Sequence, residues 1–447
     1  MQLNEFIKRL FVAAKDAGID PAEAYIVQND SFEAATQNQE IISYSSNSTS
    51  GVGFRGMLGG RMGYASTEAT DEDAVAQLVR GVRDSALLCE DDAEQFIYSG
   101  TEKDPEVSTF NPALENVTPE QKLGLILQME RIAQAYDPRI AQVGDTTVMT
   151  GKGTVRLVNS YGLDKTYTSN ECGACLQPVA KDGDSTATSF TIAMGRDFAA
   201  LNPETIAKEA AQEAVSRLHA EQVPSGAYPV IILNRTMCDL LRVFDDAFSA
   251  EIAQEGKSLL KGKLGQTIAA DCVSIVDDPL MEDGPASRPF DGEGVPSGRH
   301  VVVENGVFRL FLQSLKTAKK DGVPTTGNAS RRSYASVVTV APTNFYMEKG
   351  ALSLEELMAQ MGDGLLITNL DGLHSGTDSV SGDFSLLAKG YQVKAGRKAG
   401  PVEQITVAGN FLQMLKDVVA VGSDLSFPMG GYGAPSVLIS KLSVAGK

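Results

Sequence analysis

The 447-residue sequence predicts an α+β fold, with an N-terminal domain of helices and antiparallel hairpins followed by a β-rich, glycine-rich C-terminal domain. In the first half, segments with apolar residues at helical spacing alternate with pairs of strand-like segments. In the second half, glycines cluster at 284–306, 322–327, 362–376 and 422–433, between short strand-like runs. A chain of this length exceeds one ordinary hydrophobic core, which favours more than one domain.

The N-terminal α+β domain is expected over residues 1–196. It begins with an amphipathic helix over 3–17, which Gly18-Ile-Asp-Pro ends. A hairpin over Ala22 to Ile42 is expected to turn near Ser31, and a second strand pair flanks the turn Gly59-Gly60. Helices over 71–88 and 120–136 follow, and Thr118 can cap the second of them. Four strand segments between 140 and about 196 complete the domain.

A linking segment over residues 197–229 is expected to contain a long amphipathic helix, 202–218, and the sequence VPSGAYP. The C-terminal domain, 230–447, starts with a buried strand over Val230 to Leu233. A helical pattern follows over Leu240 to Leu260. Another covers 352–361, where Ser353 begins the capping-box sequence S-x-x-E.

The charge of the chain excludes several classes of function. Its net charge is −18 and its sequence pI about 4.7, so it repels nucleic-acid phosphates, and direct nucleic-acid binding is not expected. No stretch reaches the ~18 apolar residues of a membrane span. The first twenty residues are interrupted by Glu5, Lys8 and Arg9, which is atypical of a signal peptide. We therefore expect a cytoplasmic protein that does not insert into a membrane.

The five cysteines are expected to be reduced thiols. Cys172-Gly-Ala-Cys175 matches the CxxC pattern, but no second CxxC and no nearby histidine accompanies it. Its strand-like surroundings favour two small buried residues over a redox or zinc site.

Several long stretches resemble the TldD/PmbA family, also called modulators of DNA gyrase. In the C-terminal half these are FDGEGVPSGRHVVVENGVFRLFLQSLKTAKKDG, from Phe290, followed by TTGNASRRSY, then SGDFSLLAKGYQVKAGRKAGPVEQITVAGN, from Ser381, and the terminal GSDLSFPMGGYGAPSVLISKLSVAGK. The N-terminal GVGFRGMLGGRMGYAST is also similar to the family. Together they span nearly the whole chain in the expected order.

The resemblance implies a choice between two branches of the family. TldD-type chains carry an HExxxH helix and a downstream cysteine that bind a catalytic zinc, whereas PmbA chains, also called TldE, lack them. Here the motif position lies within Leu241 to Ala250, and the cysteine position lies near Ala434; neither contains histidine or cysteine. Asp245 and Asp246 are adjacent, hence about 100° apart on a helix, and do not easily reach one ion. The resemblance therefore implies the PmbA/TldE branch, with no catalytic and no metal-ligating residue on this chain.

Other candidate sites are few. His219, His300 and His374 are not at metal-binding spacing. In the glycine-rich loop 370–383, the four residues His374, Asp378, Ser381 and Asp383 are candidates for lining a peptide groove; the alternative is a turn with solvated polar groups. Asp277-Asp278-Pro279, with Glu282 and Asp283, could hold a cation but is more typical of a solvated turn. The GxSxG elbow typical of serine hydrolases is not present. The sequence also lacks a phosphate-binding loop, so no nucleotide cofactor is expected.

The resemblance implies a PmbA/TldE-like subunit of a TldD-type zinc metallopeptidase, acting on unfolded peptides or peptide precursors. The zinc is expected on a TldD-type partner, with no cofactor on this chain, and the two chains are expected to enclose a cavity. Two alternatives stay open. One is a homodimeric peptide-binding or regulatory protein of the gyrase-modulator type, without peptidase activity. The other is a peptidase with an unusual site around His374.

Overall fold

The computed structural model describes residues 1–88 and 95–447. The helices in these residues are α1 Leu3–Asp16, α2 Glu72–Leu88, α3 Pro119–Tyr136, α4 Pro203–Ser216, α5 Asn234–Val243, α6 Ala250–Gln254, α7 Leu315–Asp321, α8 Leu354–Met361 and α9 Phe411–Lys416. The expected cap at Thr118, before α3, and the expected capping box at Ser353, before α8, are confirmed, and Thr118 also forms a capping box. Each cap satisfies backbone donors that the first turn of a helix leaves without intrahelical acceptors.

The strands of the N-terminal part are β1 Ala22–Gln37, β2 Glu40–Leu58, β3 Arg61–Thr67, β4 Ile140–Val143, β5 Thr146–Asn159, β6 Asp164–Leu176, β7 Pro178–Asp182, β8 Ser185–Thr188 and β9 Thr191–Gly195. Those of the C-terminal part are β10 Gly226–Ile232, β11 Ile275–Asp277, β12 His300–Glu304, β13 Val307–Phe308, β14 Ala329–Ser330, β15 Thr339–Val340, β16 Phe345–Met347, β17 Gly364–Asp371, β18 Asp383–Lys394, β19 Arg397–Asn410, β20 Val418–Val421, β21 Tyr432–Gly433 and β22 Val437–Ala445. Helices and antiparallel hairpins thus precede a β-rich part, and the predicted fold class is confirmed.

One long antiparallel sheet organises the N-terminal part, with strand order β3-β2-β1-β5-β6-β9. Helices α1 and α2 pack on one end of it, where Ala24 and Ile26 belong to their core. Helices α3 and α4 pack on the other end, against Phe32 and Ala34. Strand side chains alternate between faces, so these even-numbered residues of β1 share one face. The small sheet β4-β7-β8 completes the second end.

The opposite face of this sheet packs against the C-terminal part. Tyr25 on β1 and Leu157 on β5 form a buried cluster with Phe290. The middle of the sheet lies between the two pairs of helices, and residues 28–31 of β1 are exposed there. The molecule is therefore layered, with helices, then the long sheet, then the C-terminal part.

The first hairpin differs from the prediction. β1 is continuous, and the chain turns at Asn38 and Gln39, which have φ values of 53° and 63°, instead of near Ser31. β2 is also one strand, whereas the expected turn at Gly59-Gly60 is confirmed. The residues around Ser31 are polar because no helix packs over them, and such a polar run resembles a turn in sequence. These residues nevertheless pair with β2 on one side and β5 on the other.

A closed barrel forms the centre of the C-terminal part. Strands β10, β17, β18, β19 and β22 pair in that order, β22 returns to β10, and β20 adds to β22. A large core fills and surrounds it, in which the rings of Phe244 and Phe411 stack at 4.5 Å. A second sheet has the order β13-β12-β11-β16-β21, and β14 pairs with β15. The boundaries placed at residues 196 and 230 remain a proposal.

Within the described residues, no helix combines the length and apolar character needed to cross a membrane.

Candidate functional site

The segment expected to be one helix over Leu240 to Leu260 is broken in the structure. Helix α5 ends at Val243, Asp245–Phe248 forms a short 3₁₀ helix, and α6 occupies Ala250–Gln254. The break places Asp245 against the strand β21, where its carboxylate accepts a hydrogen bond from the hydroxyl of Tyr432. This pair occupies the segment where a TldD-type chain is expected to carry its zinc ligands.

Burial controls the protonation of this pair. Loss of solvent around Asp245 raises its pKa to about 6, although the bond from Tyr432 acts in the opposite direction. Burial, together with the charge of Asp245, raises the pKa of Tyr432, so its hydroxyl stays protonated and donates. Nearby, the thiol of Cys238 on α5 donates to the carbonyl of Ser426 at 3.5 Å, and burial raises its pKa to about 12.

The donor set at this position does not fit a zinc ion. Zinc sites are built from imidazole, thiolate and carboxylate ligands, but residues 241–250 contain no histidine or cysteine, and the Asp245 carboxylate there is bound to Tyr432. The histidines lie elsewhere: His219 contacts Asp182, and His300 contacts the carbonyl of Thr326. Across residues 1–88 and 95–447, no three His, Cys, Asp or Glu side chains are grouped so that they could hold a metal.

A cavity of about 600 Å³ lies between the long sheet and the C-terminal part. Its floor is the middle of the sheet, where Gly151 and Gly153 of β5 stand opposite Ser31 and Asn29 of β1. Its other wall comes from two loops of the C-terminal part. The loop residues lining it are Met281, Glu282, Asp283, Gly284, Pro285, Phe427 and Gly430. Because Gly430 precedes Tyr432 by two residues, one short segment joins the cavity to the Asp245 pair.

Arg196 borders this cavity just after β9. Its Nη2 donates to the carbonyl of Gly284 at 2.7 Å and so connects the two walls. Its Nε and Nη1 are buried and have no hydrogen-bond acceptor among the described residues. Desolvation lowers the pKa of this guanidinium, although Asp283 and Glu171 act to raise it. The cavity therefore contains a cation that the protein satisfies only in part.

A buried ionic cluster fixes the sheet to the C-terminal part, next to the smaller cavity over β2 and β3. On neighbouring strands, Arg55 Nε and Glu23 are 2.8 Å apart, and Arg55 Nη1 lies 3.3 Å from Glu293. Arg331 also donates to Glu23 and stacks over the ring of Tyr25. The four charged side chains are at most 3% exposed. Two carboxylates and two guanidinium groups balance within this cluster.

Three of the four predicted groove residues, His374, Asp378 and Ser381, lie in the exposed loop between β17 and β18, and Asp383 is the exposed first residue of β18. Asp378 accepts from the backbone of Val380 and Ser381, and these bonds lower its pKa. Asp383 accepts from Asn410, while His374 has no hydrogen bond within the described residues. Neither the large cavity nor the smaller one over β2 and β3 is lined by this loop. Their role in peptide binding stays a prediction.

Two further predictions have clear outcomes. Cys172 and Cys175 are buried and free, and they lie on opposite faces of β6 because their positions differ by three, an odd number. Cys89 lies outside the described residues.

The expected solvated turn at 277–283 is wrong for Asp277, which is fully buried and accepts bonds from Thr343 and Asn328. Those partners lie more than fifty residues away, so no local signal indicates them.

Sequence reasoning missed Arg196 and the cluster around Glu23. Both depend on contacts between segments 32 to 308 residues apart, which no periodicity reveals. A weak signal exists, since Glu23 and Arg55 are charged residues within strands whose neighbours are apolar. Charged residues are almost never fully buried unless they are paired.

The layered sheet and the closed barrel define the class of fold, and Asp245 lies in the segment where the resemblance places the zinc motif of TldD-type chains. Family models agree with that class. The PmbA/TldA metallopeptidase domain 1 matches residues 22–86, the central domain matches 112–218, and the C-terminal domain matches 225–446. The chain belongs to the PmbA/TldD family.

Individual relatives extend over almost the full length. Metalloprotease PmbA of Escherichia coli O157:H7 is 26% identical over 434 residues, covering 96% of this chain and 93% of that protein. The crystal structure of a candidate modulator of DNA gyrase from Thermotoga maritima has a TM-score of 0.92 and 32% identity, covering 99% of this chain and 100% of the other. TldE from Thermococcus kodakarensis, at 23% identity, has the same fold, with a TM-score of 0.89 over 99% of this chain and 100% of the other.

Proposed function

We propose that this chain is a PmbA/TldE-type subunit that helps a zinc-bearing TldD-type chain to act on unfolded peptides or peptide precursors in the cytoplasm. The partner provides the zinc and the bond-breaking chemistry. This chain completes the enclosed space and holds part of the peptide. The proposal combines the family membership with the chemistry of the site.

The observation that carries the proposal is the Asp245–Tyr432 pair. In a chain that matches the metallopeptidase family in all three domains, this pair occupies the segment expected to bind zinc. A catalytic zinc needs imidazole, thiolate or carboxylate ligands and an open position for water. A single carboxylate that accepts a hydrogen bond from a tyrosine does not supply such a set. The chemistry is therefore assigned to the partner.

Strand β2 supports the assembly with a second chain. Its first eleven residues, Glu40–Ser50, are all exposed, and among the described strands only β1 pairs with them, since β3 pairs from Val52 onward. The free edge is about 35 Å long. Residues 41–51 are uncharged, although the chain carries a net charge of −18. Long exposed edges are usually protected in proteins, so we assign this one to strand pairing with another family chain.

The test uses this chain and a TldD-type chain from the same source, separately and mixed. Hydrolysis of an unfolded peptide is measured together with zinc content. We expect zinc in the TldD-type chain, rapid hydrolysis by the mixture, and no hydrolysis by this chain alone. Replacing Asp245 by asparagine in the mixture should preserve activity, because Asp245 has no chemical role in this proposal.

Two results would contradict the proposal. Zinc-dependent hydrolysis by this chain alone would show that a metal site exists here. A stable homodimer with no effect on any TldD-type chain would favour the homodimeric peptide-binding or regulatory protein instead.

A further inference from the structure

We propose that the cavity between the long sheet and the C-terminal loops binds the carboxylate end of a short peptide, with Arg196 as its anchor. This inference rests on the proposed handling of peptides and names the part of a peptide that this chain recognises. The relevant features are the size of the cavity, the state of Arg196 and the charge of the walls.

The cavity has the size and floor that a short peptide needs. Its volume of about 600 Å³ is within the roughly 300–1,000 Å³ typical of small-ligand sites. Gly151, Gly153 and Gly195 have no side chains, so they leave the sheet backbone open beneath the ligand. Asn29 and Ser169 flank these glycines with polar groups. Such a surface accommodates peptide amides without selecting particular side chains.

Arg196 provides the anchor because its guanidinium group forms no salt bridge within residues 1–88 and 95–447, although the charges of Asp283 and Glu171 act on it. Two cations line the cavity, and Lys152 is paired with Glu115 at 3.0 Å. Arg196 forms no ion pair among the described residues, and its bond to the Gly284 carbonyl leaves Nε and Nη1 without acceptors. Burying a charge without full pairing costs free energy, and pairing with a ligand carboxylate offsets that cost. Arg196 lines the cavity, so a carboxylate bound there lies beside its guanidinium group.

The wall charges select against phosphate ligands. Asp30, Glu171, Glu282 and Asp283 all line the cavity and are exposed to it or to solvent. Four carboxylates against two cations repel a multiply charged anion. A neutral or basic peptide carries one carboxylate for Arg196, and its amide groups can donate to these acidic residues.

The direct test measures binding of acetyl-trialanine to the whole chain without its partner, by isothermal titration calorimetry. The same peptide with a C-terminal amide is the matched ligand. We expect the free acid to bind roughly ten- to hundredfold more tightly, because only its carboxylate forms hydrogen bonds between charged groups with Arg196. Sodium acetate as a competitor distinguishes a bare carboxylate from a peptide end, and it should displace the acid only weakly.

Two variants locate the site. Arg196→Gln removes the charge and should erase the preference for the acid, while Arg156→Gln, another sheet arginine that does not line the cavity, should leave it unchanged. Gly195→Val places a side chain where no atom lies within 4 Å of the new Cβ, so the fold should survive and binding should be lost. Gly400→Val, an equally open strand glycine elsewhere, is its control.

Several outcomes overturn the inference: no binding of either peptide at millimolar concentration, equal affinity for acid and amide, equal displacement by acetate, or unchanged binding by Gly195→Val. These measurements use the chain alone, so their outcome does not depend on the outcome of the peptidase test. Partner-dependent hydrolysis with no acid preference would leave the proposed function intact and remove only this site.

Discussion

Asp245 gives the chain a pH dependence that a simple surface carboxylate lacks. Its pKa is raised from 3.8 to about 6 by burial, so the folded protein binds this proton more tightly than the unfolded chain does. The stability that this group contributes is therefore present at low pH and falls as pH rises from about 4 to about 6. Above that range the ionised carboxylate costs on the order of 2 kcal/mol.

We predict that Asp245→Asn stabilises the protein more at pH 7 than at pH 5. The amide keeps an acceptor for Tyr432 and has no ionised form to penalise. Urea unfolding of both proteins at the two pH values measures the difference. Asp246→Asn removes the exposed neighbouring charge and serves as the control. A stability difference that does not change with pH would contradict the assignment.

The buried cluster at the interface of the sheet and the C-terminal part is the second residue-scale case. Glu23→Gln leaves the guanidinium groups of Arg55 and Arg331 with one carboxylate, Glu293, between them. Breaking a buried ion pair from one side costs about 3–5 kcal/mol, and we expect that loss in urea unfolding. The matched control is Glu5→Gln, whose partner Arg9 is 51% exposed, and it should change stability little. Comparable losses in the two variants would mean that the cluster is not desolvated in solution.

Local signals and long-range contacts were unequally predictable. The caps at Thr118 and Ser353 depend on residues three positions apart, and both were expected from sequence. Tyr432 meets Asp245 across 187 residues, a contact that no spacing rule reveals. The candidate loop around His374 was recognisable as polar and glycine-rich, whereas the cavity was not, because its two walls belong to separate parts of the chain.

At the scale of elements, the long strands explain the main error in the predicted fold. The sixteen residues of β1 pass from one pair of helices to the other, with a polar segment between them. Most residues at both ends of the strand are buried, whereas residues 28–31 in the middle are exposed and polar, which is why the sequence there resembles a turn. The elements whose whole length is half-buried, such as α1 and α3, were predicted close to their observed bounds.

The free edge of β2 leads to a prediction about assembly. Lysines on an edge strand oppose strand pairing, because each copy then brings like charges together. We expect Ser46→Lys combined with Ser48→Lys to shift the chain, and its mixture with a TldD-type chain, toward smaller species in analytical ultracentrifugation.

The matched control places lysines at Ser385 and Ser443, two exposed serines on strands of the closed barrel. It adds the same charge without altering a free edge, so its assembly should equal that of the unmodified chain. Identical sedimentation of both double variants would mean that the β2 edge does not pair with another chain.

At the scale of the whole molecule, the two faces of the long sheet have separate structural roles. One face holds the four helices that stabilise the N-terminal part, and the other face meets the C-terminal part through Tyr25, the ionic cluster and the cavity. The hydrogen bond from Arg196 to the Gly284 carbonyl connects the cavity walls, so the proposed anchor also joins the two parts of the molecule.

The last prediction concerns metal removal, which separates the roles of the two chains. The described donor sets on this chain do not fit zinc, so its folding free energy should not include metal binding. We expect dialysis against a chelator to leave the Tm of this chain unchanged and to abolish hydrolysis by the mixture. Adding zinc to the treated partner before mixing should restore activity, whereas adding it to this chain alone and then removing the excess should not. A fall in the Tm of this chain after chelation would show that it holds a structural or catalytic metal, and the chemistry would then have to be reassigned.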